Sequence, residues 1–320
     1  MKLRKLLVLL ILLSVISCDA PRENPFDPES PNYFEVNSKV IVKHLYPPFK
    51  PIAGIEVIEP RLQLFGVTDV NGEVQFRHKP TDSLMFIVNN SQYFPDTVYF
   101  AKQANNEYQI FLNAKPQIEN FSLKSFYNNV YDEISITSLY FSAIITDLDG
   151  PFDISSVRLR NPEFNFETFL DRDINNSNHF SIEFNLEDIS QNLTSAEVPE
   201  LNFYLVVKNN NNAQVVTDFY SIKRVINVTL VQLSPTISQV TQDSVVFRWV
   251  DPELPFNYVF NIILLKFPTF EEISFKGIAK GQTSYVVKNL SPGQYNWKLQ
   301  VEDRLGNICQ SNFINFYHEQ

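Results

Sequence analysis

The chain has 320 residues, 44% of them apolar, with 26 Lys+Arg against 36 Asp+Glu and a net charge of −10. Phosphate recognition needs a basic stripe, so this balance argues against nucleic acid, and equally against electrostatic docking on an anionic membrane surface. Only eight glycines stand beside 28 Phe and 14 Tyr, a composition that builds large cores, favours strands over helices and, at this length, suggests two or three domains.

Lys2, Arg4 and Lys5 precede an apolar run from Leu6 to Ile16 that is roughly half as long as a spanning helix requires. With the small residue Ser17 behind it, the run reads as a signal peptide over residues 1–17. Val15-Ile16-Ser17-Cys18 resembles the bacterial lipoprotein signal, in which the chain is cut before the cysteine and the cysteine is acylated. That resemblance implies lipidation at Cys18 and membrane lipid as a partner. Each buried CH₂ contributes about 0.8 kcal/mol, so several acyl chains anchor stably where one does not. Cleavage takes away the three cations and no acid, leaving 23 Lys+Arg against 36 Asp+Glu and a net charge of −13. The expected location is the bacterial cell envelope, at the outer rather than the inner membrane, with the periplasmic or surface face left open. Asp19 nevertheless resembles the inner-membrane retention signal of enteric bacteria.

Residues 18–34 read as the lipidated cysteine and a tether. Pro21, Pro25, Pro28 and Pro31 recur among polar residues, which excludes helix and central strand and favours extended polyproline-like backbone. At about 3.1 Å per residue such a tether reaches up to about 45 Å. The run Asn24-Pro25-Phe26-Asp27-Pro28 with Pro31-Asn32-Tyr33 is similar to the segment after the lipidated cysteine in many lipoproteins of Bacteroidetes-like bacteria.

Residues 35–115 are the first expected domain. Ser38 to Lys43 and Ile52 to Ile58 alternate, and Asn71-Gly72 predicts a two-residue hairpin into Glu73-Val74-Gln75-Phe76. The order Gly54-Ile55-Glu56-Val57, Thr68-Asp69-Val70-Asn71-Gly72-Glu73-Val74-Gln75-Phe76 and Tyr93 resembles the carboxypeptidase regulatory-like (transthyretin-like) β-sandwich, which implies an accessory, non-catalytic domain.

Residues 116–226 are the second. Leu139 to Ile145, Ile154 to Leu159, Leu201 to Val207 and Val215 to Tyr220 read as strands. Asn209 to Asn212 tolerate left-handed backbone and make a hairpin loop, and Leu186 to Leu193 reads as a helical turn. Short strands with turn signals between them suggest an immunoglobulin-like sandwich.

Residues 227–320 are the third. Val245 to Trp249 alternates, Phe256 to Leu265 is a long apolar strand, and Asp303 to Asn307 closes a turn around Gly306. Trp249 with Leu290, Pro292 and Tyr295 resembles the fibronectin type III pattern, where the tryptophan lies on strand B and the tyrosine forms a corner by bonding back to backbone. The resemblance implies that Trp249 and Trp297 face a core.

No catalytic constellation stands out. His44, His78, His179 and His318 have no second His or Cys at zinc-ligand spacing, and phosphate-loop and nucleophile-elbow patterns do not occur. With Cys18 acylated, Cys309 has no disulfide partner and reads as a small buried hydrophobe. Asp147, Asp149 and Asp153 present oxygens that a calcium ion accepts, but an EF-hand's loop and terminal Glu are missing. The preferred reading is a hairpin turn in which Asp caps backbone N–H groups and Gly150 supplies positive φ, with no metal. Tyr46-Pro47-Pro48-Phe49 and Phe267-Pro268-Thr269-Phe270 place rings between prolines in loops. Those rings either plug their loops or stand exposed as ligand contacts. The expectation is therefore an all-β chain of tandem β-sandwich (Ig-like and fibronectin type III-like) domains behind a lipoprotein signal peptide, with no cofactor and no enzyme activity. It binds or scaffolds another envelope protein; the alternative is glycan binding.

Overall fold

The computed structural model describes residues 35–131 and 134–319. The expected signal peptide, the lipidation at Cys18 and the tether fall outside the described residues. The chain divides into two compact units, with the break between Lys115 and Pro116. The described residues form 24 strands and one short α-helix, an all-β protein.

Seven strands build the first unit: β1 (Val36–His44), β2 (Glu56–Glu59), β3 (Leu64–Val67), β4 (Glu73–His78), β5 (Ser83–Asn89), β6 (Asp96–Ala101) and β7 (Glu107–Leu112). They pair as β4-β1-β7 and β3-β2-β5-β6. Alternation decides which face each presents. Val74 and Phe76 of β4, Leu84, Phe86 and Val88 of β5, and Tyr108, Ile110 and Leu112 of β7 point into one core, and the residues between them, such as Gln75, Arg77 and Gln109, turn to the other face. Phe86 lies at its centre, stacked on Phe76 with ring centroids 6.0 Å apart and tilted against Tyr108 at 5.8 Å.

The turn at Asn71-Gly72 forms as expected, but it is not the hairpin of one sheet. Gly72 has φ 71° and donates to the Asp69 carbonyl at 2.9 Å, while Asp69 Oδ1 accepts the Asn71 and Glu73 N–H groups. The flanking strands then part: β3 pairs with β2 in one sheet and β4 with β1 in the other. Gly66 shows why the crossing works. A Cβ there would stand 2.4 Å from Val74 Cγ2, so only glycine lets β3 approach β4 face to face.

The second unit starts with β8 (Gln117–Tyr131), β9 (Ile134–Thr146), β10 (Ile154–Asn161), β11 (Phe166–Phe169), β12 (Asp171–Arg172), β13 (His179–Asn185), α1 (Leu186–Ile189), β14 (Tyr204–Asn209) and β15 (Gln214–Val216). β12-β13-β9-β8 lie side by side, opposite β11-β10-β14-β15. Leu139, Phe141 and Ile145 of β9 meet Val157 and Leu159 of β10 and Leu205 and Val207 of β14. The asparagine loop turns where expected, with Asn212 at φ 64° and Asn209 Oδ1 accepting the Asn211 and Ala213 N–H groups. Asp188 at the start of α1 accepts the Asn185 N–H at 2.8 Å, one arm of a capping box.

The remaining strands are β16 (Gln232–Ser234), β17 (Gln239–Thr241), β18 (Ser244–Trp249), β19 (Tyr258–Lys266), β20 (Glu271–Ala279), β21 (Ser284–Lys288), β22 (Gly293–Asp303), β23 (Ile308–Gln310) and β24 (Ile314–His318). β16-β18-β21 face β23-β22-β19-β20, and Phe247, Trp249, Phe260, Leu264, Trp297 and Leu299 fill the space between. Tyr295 makes the corner: its hydroxyl donates to the Ser291 carbonyl at 2.7 Å.

The second and third cores are distinct, yet one sheet serves both. β8 pairs antiparallel with β9 along most of its length and also parallel with β23, Tyr127 opposite Cys309. The result is a continuous ten-stranded sheet. Side chains seal the joint. Asn307 Oδ1 accepts the Ser125 N–H at 3.0 Å and its hydroxyl at 3.2 Å, and Asn129 Nδ2 donates to the Val228 and Gln310 carbonyls. Asp303, itself buried, accepts the Leu305 and Asn307 N–H groups and the Asn307 amide, and pairs with Arg224 at 3.4 Å. Polar groups this deep are tolerable because each finds a partner.

Candidate functional site

The two aromatic loops share a design. In the first, which follows β1, the Phe49 N–H donates to the Tyr46 carbonyl at 2.9 Å; in the second, between β19 and β20, the Phe270 N–H donates to the Lys266 carbonyl at 2.7 Å. Both closing phenylalanines have left-handed backbone, φ 52° and 54°. A bulky residue avoids that region at a cost of about 1–2 kcal/mol, and such strain gathers at functional positions. Both rings face solvent, Phe49 at 44% exposure and Phe270 at 60%. Phe49 meets Phe111 edge-on, with centroids 5.6 Å apart, and Phe270 meets Phe267 at 4.7 Å. Tyr46 and Phe267 are half-buried and support their turns. Of the two readings of these loops, the tips are exposed and the bases are packed.

Asp147, Asp149 and Asp153 come together, with one carboxylate oxygen of each within 4.8 Å of the others. Part of the turn behaves as expected: Gly150 has φ 106°, its N–H donates to the Asp147 carbonyl at 3.0 Å, and the Asp149 N–H donates to Asp147 Oδ1 at 2.8 Å. It is not a hairpin, because β9 and β10 belong to opposite sheets and residues 147–153 cross between them. Asp153 ends a 3₁₀ turn (Pro151–Asp153) and points inward, 4% exposed. Burial pushes the Asp147 carboxyl up to about 7; the Asp149 N–H opposes the shift, and the negative charges of Asp149 and Asp153 add to it.

One pairing has the look of a nucleophile and its base. Ser38 Oγ lies 2.8 Å from His78 Nε2, and His78 Nδ1 lies 2.6 Å from the Lys79 carbonyl. Both side chains are buried within the first unit's sheet β4-β1-β7, and the pair is a satisfied polar contact of the fold. Sequence spacing gave no sign of it, because β1 and β4 bring the two residues together across 40 positions.

Cys309 is buried, and its thiol donates to the Val228 carbonyl at 3.1 Å. Burial pushes its pKa up to about 12. Its thiol is therefore expected to resist a disulfide reagent through the neutral and mildly alkaline range and to react fully once the protein is denatured. Rapid labelling of native Cys309, read by peptide mass spectrometry, would contradict this burial.

The fold and these sites define a tandem all-β sandwich protein. No family model matches the chain, and no curated protein matches it. Among solved structures it is similar to fibronectin(III)-like modules of Clostridium thermocellum CbhA, at 10% identity and TM-score 0.29, over 64% of this chain and 93% of that one. It is also similar to the FN1–FN3 domains of chicken CNTN1, at 9% identity and TM-score 0.34, over 83% of this chain and 91% of that one. Likenesses this distant carry no argument about what the chain binds.

Proposed function

We propose that this chain is a lipid-anchored, non-catalytic module of a bacterial envelope. Cys18 holds it at the outer membrane, and its sandwich body binds or scaffolds another envelope protein. The observation that carries this reading is that two turns, one in each compact unit, present Phe49 and Phe270 to solvent on strained backbone. Exposed rings on loops held by a stiff sheet are the usual furniture of a recognition surface. The ten-stranded sheet supports the scaffolding role, since it fixes the second and third sandwiches to each other.

The same exposed rings favour a second reading, in which they stack on the apolar face of a sugar. Cross-linked membranes and a glycan array separate the two. The first reading expects one envelope protein to be captured by the wild-type chain and lost with Phe49→Ala/Phe270→Ala, with no glycan signal. Specific glycan signal abolished by the same double substitution replaces it with the second. Binding of either kind that ignores both rings contradicts the role given to these two turns.

A further inference from the structure

We propose that the crossing between β9 and β10 is a calcium site, with Asp147, Asp149 and Asp153 as its protein ligands. Acidic residues on one loop are common and prove nothing alone. What points to a ligand here is Asp153. It is 4% exposed, and no protein group hydrogen-bonds either of its carboxylate oxygens. Asp147 Oδ2 is likewise buried without a partner. A buried carboxylate with neither oxygen bonded is the uncompensated state that folded chains avoid. A cation at the meeting point of the three groups satisfies both oxygens at once.

The rest of the loop is built to hold those groups in place. Arg172, from β12, spends its guanidinium on backbone carbonyls: Pro151 at 2.8 Å, Ser177 at 2.6 Å and Ile154 at 2.7 Å. Asn210, from the neighbouring hairpin, donates its N–H to the Asp153 carbonyl at 2.8 Å and its amide to the Phe152 carbonyl at 3.0 Å. The backbone on both sides of Asp153 is thus clamped while its carboxylate is left uncommitted. The donors are all hard oxygens, which excludes a soft-metal preference. One carboxylate oxygen from each residue lies within 4.8 Å of the others, close enough to share one ion, and the two uncommitted oxygens of Asp153 allow the bidentate contact calcium accepts. Magnesium demands a tighter octahedron and keeps more of its water, so it fits this set less well.

The test is thermal unfolding and calorimetric titration of the metal-stripped protein with calcium chloride. Extracellular calcium modules bind with dissociation constants of roughly 10⁻⁴–10⁻³ M, so about 10 mM calcium is expected to raise the melting temperature by on the order of 3–5 °C. Asp153→Asn is expected to lose that rise and at least about tenfold in affinity, while melting in chelator no lower than wild type, because the buried charge is gone. Asp149→Asn, on the outer side of the cluster, gives the same loss of response should Asp153→Asn fold poorly. Asp243→Asn, far along the chain in another loop, keeps the full response. No calcium effect on the wild-type protein, or an effect that survives both cluster substitutions, overturns the site.

Discussion

Replacing Trp297 with alanine is expected to cost about 3–5 kcal/mol, a large fraction of a typical domain's stability. The side chain is fully buried, its ring meets Phe247 with centroids 5.0 Å apart, and it borders a core shared by β18, β19 and β22. A hole of that size cannot collapse between two packed sheets. Its polar handle adds a finer expectation. Trp297 Nε1 donates to the Pro235 carbonyl at 2.9 Å, whereas Trp249 Nε1 is buried with no partner. Trp297→Phe strands a buried carbonyl, and Trp249→Phe removes an unsatisfied donor, so the first is expected to be the more destabilising by about 1 kcal/mol or more. Urea unfolding followed by tryptophan emission reads both substitutions, since each variant keeps the other tryptophan in the same core. Equal midpoints for the two phenylalanine variants would show that the Nε1 bonds do not matter.

Asn307→Ala is expected to loosen the joint between the second and third sandwiches, at a cost of about 2–4 kcal/mol. The substitution leaves the buried Ser125 N–H without its acceptor and takes one donor from Asp303. Ser125 Oγ keeps its bond to the Arg224 carbonyl at 3.2 Å, so the loss is confined to the backbone amide and the carboxylate. Local opening should follow where β8 meets β23, at Phe126 to Asn128 opposite Ile308 to Gln310. Amide hydrogen exchange there is expected to quicken about 30-fold or more, while tryptophan emission reports the third core still folded. Unchanged exchange across Phe126 to Asn128 would mean that the ladder alone holds the two sandwiches together.

Much of the strand pattern was legible because a sandwich strand writes its two faces into the chain. Val74 and Phe76, or Tyr108, Ile110 and Leu112, are apolar at every second position for no other reason. The corner at Tyr295 and the left-handed asparagine at Asn212 were legible as well, since each depends on neighbours a few residues away. Which sheet a strand joins was not. The turns at Asn71-Gly72 and at Asp147 to Pro151 have the local chemistry of hairpins, but both carry the chain from one sheet to the other. That choice rests on long-range packing such as the fit of Gly66 against Val74. The shared sheet was hidden for the same reason: Ser125 and Asn307 are 182 positions apart. The one sign was length. β8 runs for 15 residues, longer than a single sandwich usually asks of a strand. At the acidic crossing, spacing marked all three aspartates, but only the fold reveals that Asp153 turns inward with neither oxygen bonded.

In the proposed function, acyl chains on Cys18 hold this sandwich body at a membrane, and metabolic labelling with radioactive palmitate reads that anchor. The wild-type chain should carry the label and sediment with vesicles, and Cys18→Ala should carry none and remain in the supernatant. An unlabelled wild-type chain, or a Cys18→Ala chain that still sediments with vesicles, would contradict it.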